Sequence, residues 1–118
     1  MGRSKPVKIG QKEFKSKKAA VDYFMDQREA VKTVGPLKEG ELFDELRDLY
    51  LRYCKATRFD LNGRVIYAFS VDYEPRQNGQ AWASHLCYWV HFSPKDQLSF
   101  SVREAVDEIT KASAENKL

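Results

Sequence analysis

This chain of 118 residues has no long apolar run, few cysteines and no apolar core of a secretory signal. No apolar run approaches the roughly 20 residues that a helix needs to cross a bilayer, and the N-terminus is basic and polar. We therefore expect no membrane partner. The two cysteines, Cys54 and Cys87, lie far apart, which predicts core thiols in a reducing, cytoplasmic compartment.

Sequence signatures of catalysis and metal binding are also missing. The six glycines are scattered and form neither a phosphate loop nor a dinucleotide fingerprint. His85 and His91 share one face of a predicted strand, but at about 3.3 Å per residue they lie roughly 20 Å apart, too far to share a metal ion. We expect no metal, no cofactor and no enzymatic activity, although a catalytic group that only folding assembles would leave no local signature.

What the chain does contain is enough apolar material for one core and an uneven distribution of charge. Hydrophobic residues make up 42% and aromatic residues 13%, which is typical of a folded domain. Residues 1–18 carry seven basic side chains against Glu13, a net +6, so the total of +3 leaves −3 for the rest. This asymmetry predicts a surface that faces a polyanion, with nucleic acid the usual partner; the alternative is a solvated tail that only aids solubility.

Hydrophobic periodicity predicts an α+β fold, with an antiparallel sheet of about four strands and three helices in a single domain over residues 6–113. Residues 1–5 are expected to form a disordered basic tail and residues 114–118 a frayed end. The predicted elements are a small hairpin or edge strand over 6–14, a helix from Lys17 to about Val31, a helix from Glu41 to Lys55, strands over 64–73, 84–92 and 98–100, and a last helix after Ser101.

The strand alternation predicts which side chains face the core. In the strand over 64–73 the core-facing set should be Val65, Tyr67, Phe69, Val71 and Tyr73. A polar loop is expected over 74–81, with its tip at Asn78–Gly79. Two serines are candidate helix N-caps, Ser16 and Ser101, the second within a capping box that ends at Glu104.

The candidate nucleic-acid contacts combine the basic N-terminal segment with two tryptophans. The lysines would neutralise phosphates, and each indole would stack a base for roughly 1–3 kcal/mol. The alternative is that Trp89 is buried or covered by the N-terminal segment. The predicted contacts are Lys5, Lys8, Lys12, Lys15, Lys17, Lys18, Arg64, Arg76, Trp82 and Trp89.

Three segments together resemble the DCL-type domain family, which is named for the plant "defective chloroplasts and leaves" proteins. They are FKSKKAAVDYF at 14–24, YAFSVDY at 67–73 and LSFSVREAV at 98–106. The resemblance implies a role around RNA, because family members act in plastid ribosomal RNA processing or are appended to the largest subunit of plant RNA polymerases IV and V. The chain differs from the plant pattern at 60–63 and 93–97, and the resemblance brings no catalytic residue with it.

Two functions follow as predictions. The first is a small non-enzymatic module that binds nucleic acid, RNA more than DNA. The second is a protein-interaction module that docks on RNA polymerase or another nucleic-acid machine. Its contact surface would be the loop over 75–81 and an acidic helix face formed by Glu41, Asp44, Glu45 and Asp48. The sequence does not indicate which oligomeric state the protein adopts.

Overall fold

The computed structural model describes residues 6–79 and 81–115, with the side chains of 74–78, 81–85 and 113–115 outside that description. The described residues form an α+β fold, as predicted. Its elements are β1 (Val7–Ile9), β2 (Lys12–Phe14), α1 (Lys17–Asp26), α2 (Arg28–Val34), α3 (Glu41–Thr57), β3 (Ala68–Asn78), β4 (Ala81–Ser93), β5 (Asp96–Phe100) and α4 (Val102–Glu115). None of the helices in these ranges has the length and apolarity needed to cross a membrane.

The strands divide into two antiparallel sheets, where the sequence predicted one. The first is the β1–β2 hairpin, whose two-residue turn begins at Gly10 with φ 62°. The second has the order β3-β4-β5. Leu37 adds one bridge to the free edge of β3, since its N–H donates to the Phe69 carbonyl at 2.6 Å and its carbonyl accepts from the Phe69 N–H at 2.9 Å.

The helices cover one face of the three-stranded sheet, and the core lies between them. The sheet contributes fully buried aromatic and β-branched side chains, and α3 and α4 contribute leucine and valine. The Tyr88 hydroxyl donates to the Phe24 carbonyl at 2.6 Å, which satisfies its polar atom inside this core. The largest fully buried apolar side chains are Tyr88, Phe24, Phe69, Ile9, Leu46, Leu49, Val90 and Val106.

The β1–β2 hairpin is fastened to α3 by polar contacts. The Gly10 N–H donates to the Asp48 carboxylate at 2.8 Å. Arg52 donates to the Lys8 carbonyl at 2.6 Å and to the same carboxylate at 2.9 Å. Glu45, which is 1% exposed, accepts from the Tyr23 hydroxyl at 2.5 Å. Two of the four acidic residues of the predicted docking face thus hold the fold together.

The predicted start of the first long strand is wrong, and its predicted inward face is confirmed only for Phe69 and Val71, which are buried. β3 begins at Ala68, and the preceding segment 64–67 follows an irregular extended path. There Ile66 is buried, whereas Val65 is 72% and Tyr67 43% exposed. Period-two alternation sorts side chains into two faces only where a ladder holds the chain flat, and this segment has no such ladder. Tyr73, also predicted to face the core, is 50% exposed.

Three further boundaries differ from the prediction. The polar segment 74–81 is not a loop, because β3 and β4 stay paired up to Asn78 and Ala81, and Gly79 turns the chain with φ 67°. The helix predicted over 17–31 is interrupted at Gln27, which carries no proline or glycine signal. α4 continues to Glu115, beyond the predicted end near Ser113. Residues 1–5 and 116–118 lie outside the described chain.

Candidate nucleic-acid interface

The predicted lysines have different surroundings. Lys5 lies outside the described residues, and Lys8 and Lys15 are exposed. Lys12 instead donates to the Tyr23 hydroxyl at 3.1 Å and lies 3.6 Å from the Glu45 carboxylate. The hydrogen bond to Tyr23 is the main cause that raises the pKa of Lys12. This lysine is therefore part of the contact between the hairpin and the helices.

Lys17 and Lys18 lie where two helices begin side by side. The Ser16 hydroxyl caps α1 by accepting from the Ala19 N–H at 3.1 Å. The Ser101 hydroxyl accepts from the Glu104 N–H at 3.1 Å, which confirms half of the predicted capping box. The first turns of α1 and α4 therefore lie side by side. Their backbone N–H groups and the positive ends of both helix dipoles are in the same place.

These two helix starts line a groove of about 770 Å³, which we call the α1–α4 groove. Three cationic side chains meet in it, two from α1 and one from α4. Three carboxylates line it as well, so the groove is rich in charge without a large net charge. Its charged residues are Lys17, Lys18, Asp22, Arg103, Glu104 and Asp107.

Two of the three cations are already paired. Lys17 lies 3.0 Å from Asp107, and that hydrogen bond lowers the pKa of the Asp107 carboxyl. Lys18 lies 2.7 Å from Asp22, and that hydrogen bond raises the pKa of Lys18. Arg103 is close enough to Lys18 to oppose this rise, and it forms no ion pair within the described chain. Arg103 is thus the cation that the groove leaves uncompensated.

The ion pairs of the groove are exposed, so another anion can replace the carboxylate of a pair. The Lys18 side chain is 85% and the Asp22 side chain 52% exposed. An exposed pair at this helical spacing contributes little to stability. A phosphate entering the groove can therefore replace Asp22 as the partner of Lys18 at little cost.

Of the two arginines and two tryptophans predicted as contacts, the structure describes the side chains of Arg64 and Trp89, and it does not bring these two together. Arg64 lies over the ring of Phe92 at 4.5 Å and pairs with Asp96 at 3.2 Å. Phe92 packs against the helix-covered core, whereas Trp89 points to the opposite face of β4. Trp89 is half-buried, and its Nε1 is enclosed with no hydrogen-bond partner among the described atoms. The side chains of Arg76 and Trp82 lie outside the description, although their backbones belong to β3 and β4.

The face that carries Trp89 also holds a serine–histidine pair. Ser70 Oγ and His91 Nε2 are 2.7 Å apart. Burial lowers the pKa of His91, which favours the neutral imidazole. The two residues are diagonal neighbours across β3 and β4, since Ser70 pairs with Trp89 and His91 with Ala68. Within the described residues this histidine has no carboxylate partner, and the pair satisfies two polar side chains beside the indole.

Arg103 is the site residue that the sequence reasoning missed. The capping box that contains it was found, but nothing local says that its helix starts beside α1. The relevant contact joins Lys17 to Asp107, which are 90 positions apart. A short-range pattern cannot report a contact at that separation.

The described residues contain no group of three or more side chains suited to hold a metal ion. Comparisons with protein-family models, curated proteins and solved structures found no match to this chain. The resemblance to DCL-type domains therefore stays a prediction from the three sequence segments.

Proposed function

We propose that this protein is a small non-enzymatic module that binds nucleic acid through backbone phosphates in the α1–α4 groove. The observation that carries the proposal is the meeting of Lys17, Lys18 and Arg103 at the starts of two capped helices. The preference for RNA over DNA rests on the resemblance to DCL-type domains, and a cytoplasmic location on the low cysteine content.

The chemistry of the groove favours phosphate over bases. Arg103 offers a planar set of donors without a competing carboxylate, and Lys18 can exchange Asp22 for a phosphate oxygen. Lys15, exposed one residue before the α1 cap, is placed to meet a neighbouring phosphate. Contacts of this kind set position and register but do not read sequence. The proposal therefore predicts weak sequence preference at the groove.

A binding titration with a fluorescent single-stranded RNA of about ten nucleotides tests the proposal. The double variant Lys18→Ala/Arg103→Ala should weaken binding by about tenfold, and it should reduce the slope of log K against log salt by about 1.4, the value for two lost phosphate contacts. The control is Lys55→Ala/Lys95→Ala, which removes the same charge from two exposed lysines outside the groove.

Either of two results would contradict the proposal. In the first, the groove variant and the control variant bind equally well. In the second, the affinity of the unmodified protein is insensitive to salt between about 50 and 200 mM, a range over which phosphate binding weakens strongly. Circular dichroism on both variants establishes that each is folded before its affinity is compared.

A further inference from the structure

The cations of the α1–α4 groove lie where a helix does not favour them. Carboxylates stabilise the first turn of a helix, because the dipole is positive there, and lysine or arginine stabilises the last turn. The first turn of α1 begins with Lys17 and Lys18 and contains no acidic residue. Arg103 lies in the first turn of α4, beside Glu104. The three cations thus add positive charge to a place that is already positive, which favours the binding of an anion rather than the stability of the helices.

Beyond the first turns, the charge on the same faces of both helices changes sign. Residues four positions apart lie on one face of a helix. Lys18 is followed at this spacing by Asp22 and then by Asp26, both of which are exposed. Arg103 is followed at the same spacing by Asp107. A nucleic-acid strand laid along either helix would bring its next phosphates to these carboxylates, where like charges repel.

A basic residue continues the groove on one side. Lys15 is exposed and precedes the Ser16 cap, so it lies before α1 rather than along it. The charged residues that line the groove beyond the two first turns are the carboxylates Asp22 and Asp107. An internal phosphate has a neighbouring phosphate on both sides, whereas a terminal phosphate has one on a single side. The distribution of charge therefore suits the end of a strand better than its middle.

We propose that the α1–α4 groove binds the terminal phosphate of a nucleic-acid strand, which is a phosphate monoester. The inference rests on the proposed function and adds which part of the strand occupies the groove. Arg103 and Lys18 hold the monoester, and the next phosphate of the strand lies towards Lys15. A monoester carries about −1.5 to −2 charges at pH 7, whereas an internal phosphodiester carries one. The uncompensated guanidinium of Arg103 therefore interacts more strongly with the terminal group.

Three single-stranded RNAs of one sequence, about ten nucleotides long, test the inference. The first has hydroxyl groups at both ends, the second carries a 5′-phosphate and the third a 3′-phosphate. At about 100 mM salt, the better bound of the two phosphorylated RNAs should bind the unmodified protein at least about fivefold more tightly than the hydroxyl-ended RNA. The end that gives the larger gain is the end that the groove holds.

Two further RNAs separate the terminal group from added charge. One has hydroxyl ends and one more nucleotide, so it adds an internal phosphate with a single charge. The other carries the same terminal phosphate as its methyl ester, which cannot take up a second charge. Neither should reproduce the gain of the free monoester. An equal gain from either RNA would overturn the inference, because the doubly charged end would then not be what the groove recognises.

Two variants locate the gain on the protein. Lys18→Ala/Arg103→Ala should abolish the preference for the phosphorylated RNA, because it removes the two cations assigned to the monoester. Lys55→Ala/Lys95→Ala should keep the preference, although it removes the same charge from two exposed lysines outside the groove. Circular dichroism establishes that both variants are folded before their affinities are compared.

A mononucleotide distinguishes the end of a strand from a free nucleotide. Adenosine 5′-monophosphate carries the same terminal group, but it has no second phosphate to meet Lys15. It should therefore compete with labelled phosphorylated RNA more weakly than the unlabelled phosphorylated RNA does. Equal competition at the same concentration would assign the groove to a free nucleotide and overturn the inference.

The remaining outcomes separate this inference from the proposed function. If the hydroxyl-ended and phosphorylated RNAs bind equally well and the groove variant weakens both, the inference is overturned and the proposed function stands. A gain that persists in the groove variant also overturns the inference, because the terminal phosphate is then held elsewhere. If the groove variant binds every RNA as well as the control variant does, both are contradicted.

Discussion

At the level of single residues, Glu45 was predicted to belong to an acidic docking face but is buried in the folded chain. Its carboxylate is 1% exposed, accepts from the Tyr23 hydroxyl at 2.5 Å and lies 3.6 Å from Lys12. The second distance is an ion pair but too long for a hydrogen bond, so Oε2 has a charge partner and no donor. Lys12, predicted to contact phosphate, is placed by this buried acid.

Removing the Tyr23 hydroxyl tests that arrangement. Tyr23→Phe takes away the donor to Glu45 and the acceptor for Lys12. A buried carboxylate then loses its hydrogen bond, so the free energy of unfolding in urea should fall by about 1–3 kcal/mol. Tyr67→Phe is the control, because Tyr67 is 43% exposed; it should change stability by less than about 0.5 kcal/mol. Equal effects of the two variants would contradict the assignment.

His91 predicts how stability changes with pH. Burial lowers its pKa in the folded chain, whereas the unfolded chain titrates near 6.5. Protonation therefore favours the unfolded state, and stability should fall as pH drops below about 6.5 through the lower folded pKa. Urea unfolding between about pH 7.5 and 5.5 should show this loss, and His91→Gln should reduce it. An unchanged pH dependence in the variant would exclude His91 as its source.

At the level of secondary-structure elements, the sequence predicted what short-range chemistry controls. The serine caps at Ser16 and Ser101 follow from local hydrogen bonds and backbone preference, and both are confirmed. The break at Gln27 could not be predicted, because that residue carries no breaker signal. The polar segment 74–81 was predicted to be a loop because it lacks the apolar alternation that marks a half-buried strand, although most of it belongs to the β3–β4 pairing.

The hairpin turn offers a prediction at this level. Gly10 has φ 62°, and a Cβ there would meet Glu45 Cγ at 3.1 Å. Gly79 has φ 67°, and a Cβ there would meet no atom within 4 Å. An alanine at Gly79 would therefore have the same backbone strain without the steric contact. Alanine at either position should cost about 1–2 kcal/mol from its backbone, and Gly10→Ala should cost about 1–3 kcal/mol more from crowding against α3. Equal losses in urea unfolding would show that the hairpin can move away from α3.

The candidate site could be predicted only in part. Lys17 and Lys18 were found because they cluster in sequence, and they do meet in the α1–α4 groove. Arg103 was missed, and Arg64 was expected near Trp89 but stacks on Phe92 on the other side of the sheet. Both errors concern which elements pack together, and that depends on contacts between distant parts of the chain.

At the level of the whole molecule, Glu104 opposes the positive charge of the α1–α4 groove. Its carboxylate lines the groove together with Asp22 and Asp107. Asp22 and Asp107 are paired with lysines, whereas Glu104 has no lysine or arginine partner among the described residues. Its negative charge should therefore weaken the binding of a polyanion beside Arg103.

This carboxylate offers a prediction about the groove. Glu104→Gln removes one negative charge from the groove, so RNA affinity should rise by about two- to fivefold at low salt. Glu108→Gln makes the same change of charge at a residue that does not line the groove and pairs with Lys111 at 3.7 Å. It should raise RNA affinity less. Equal gains would mean that only the net charge of the chain matters.

Nuclear magnetic resonance of the isotope-labelled protein during titration with single-stranded RNA tests most directly where a polyanion binds. If phosphates occupy the α1–α4 groove, the amide shifts that change will cluster at residues 16–19 and 101–104, together with the side-chain resonance of Arg103. Changes centred on Trp89 or on the β1–β2 hairpin, or no saturable change at all, would contradict the proposal that this groove binds nucleic acid.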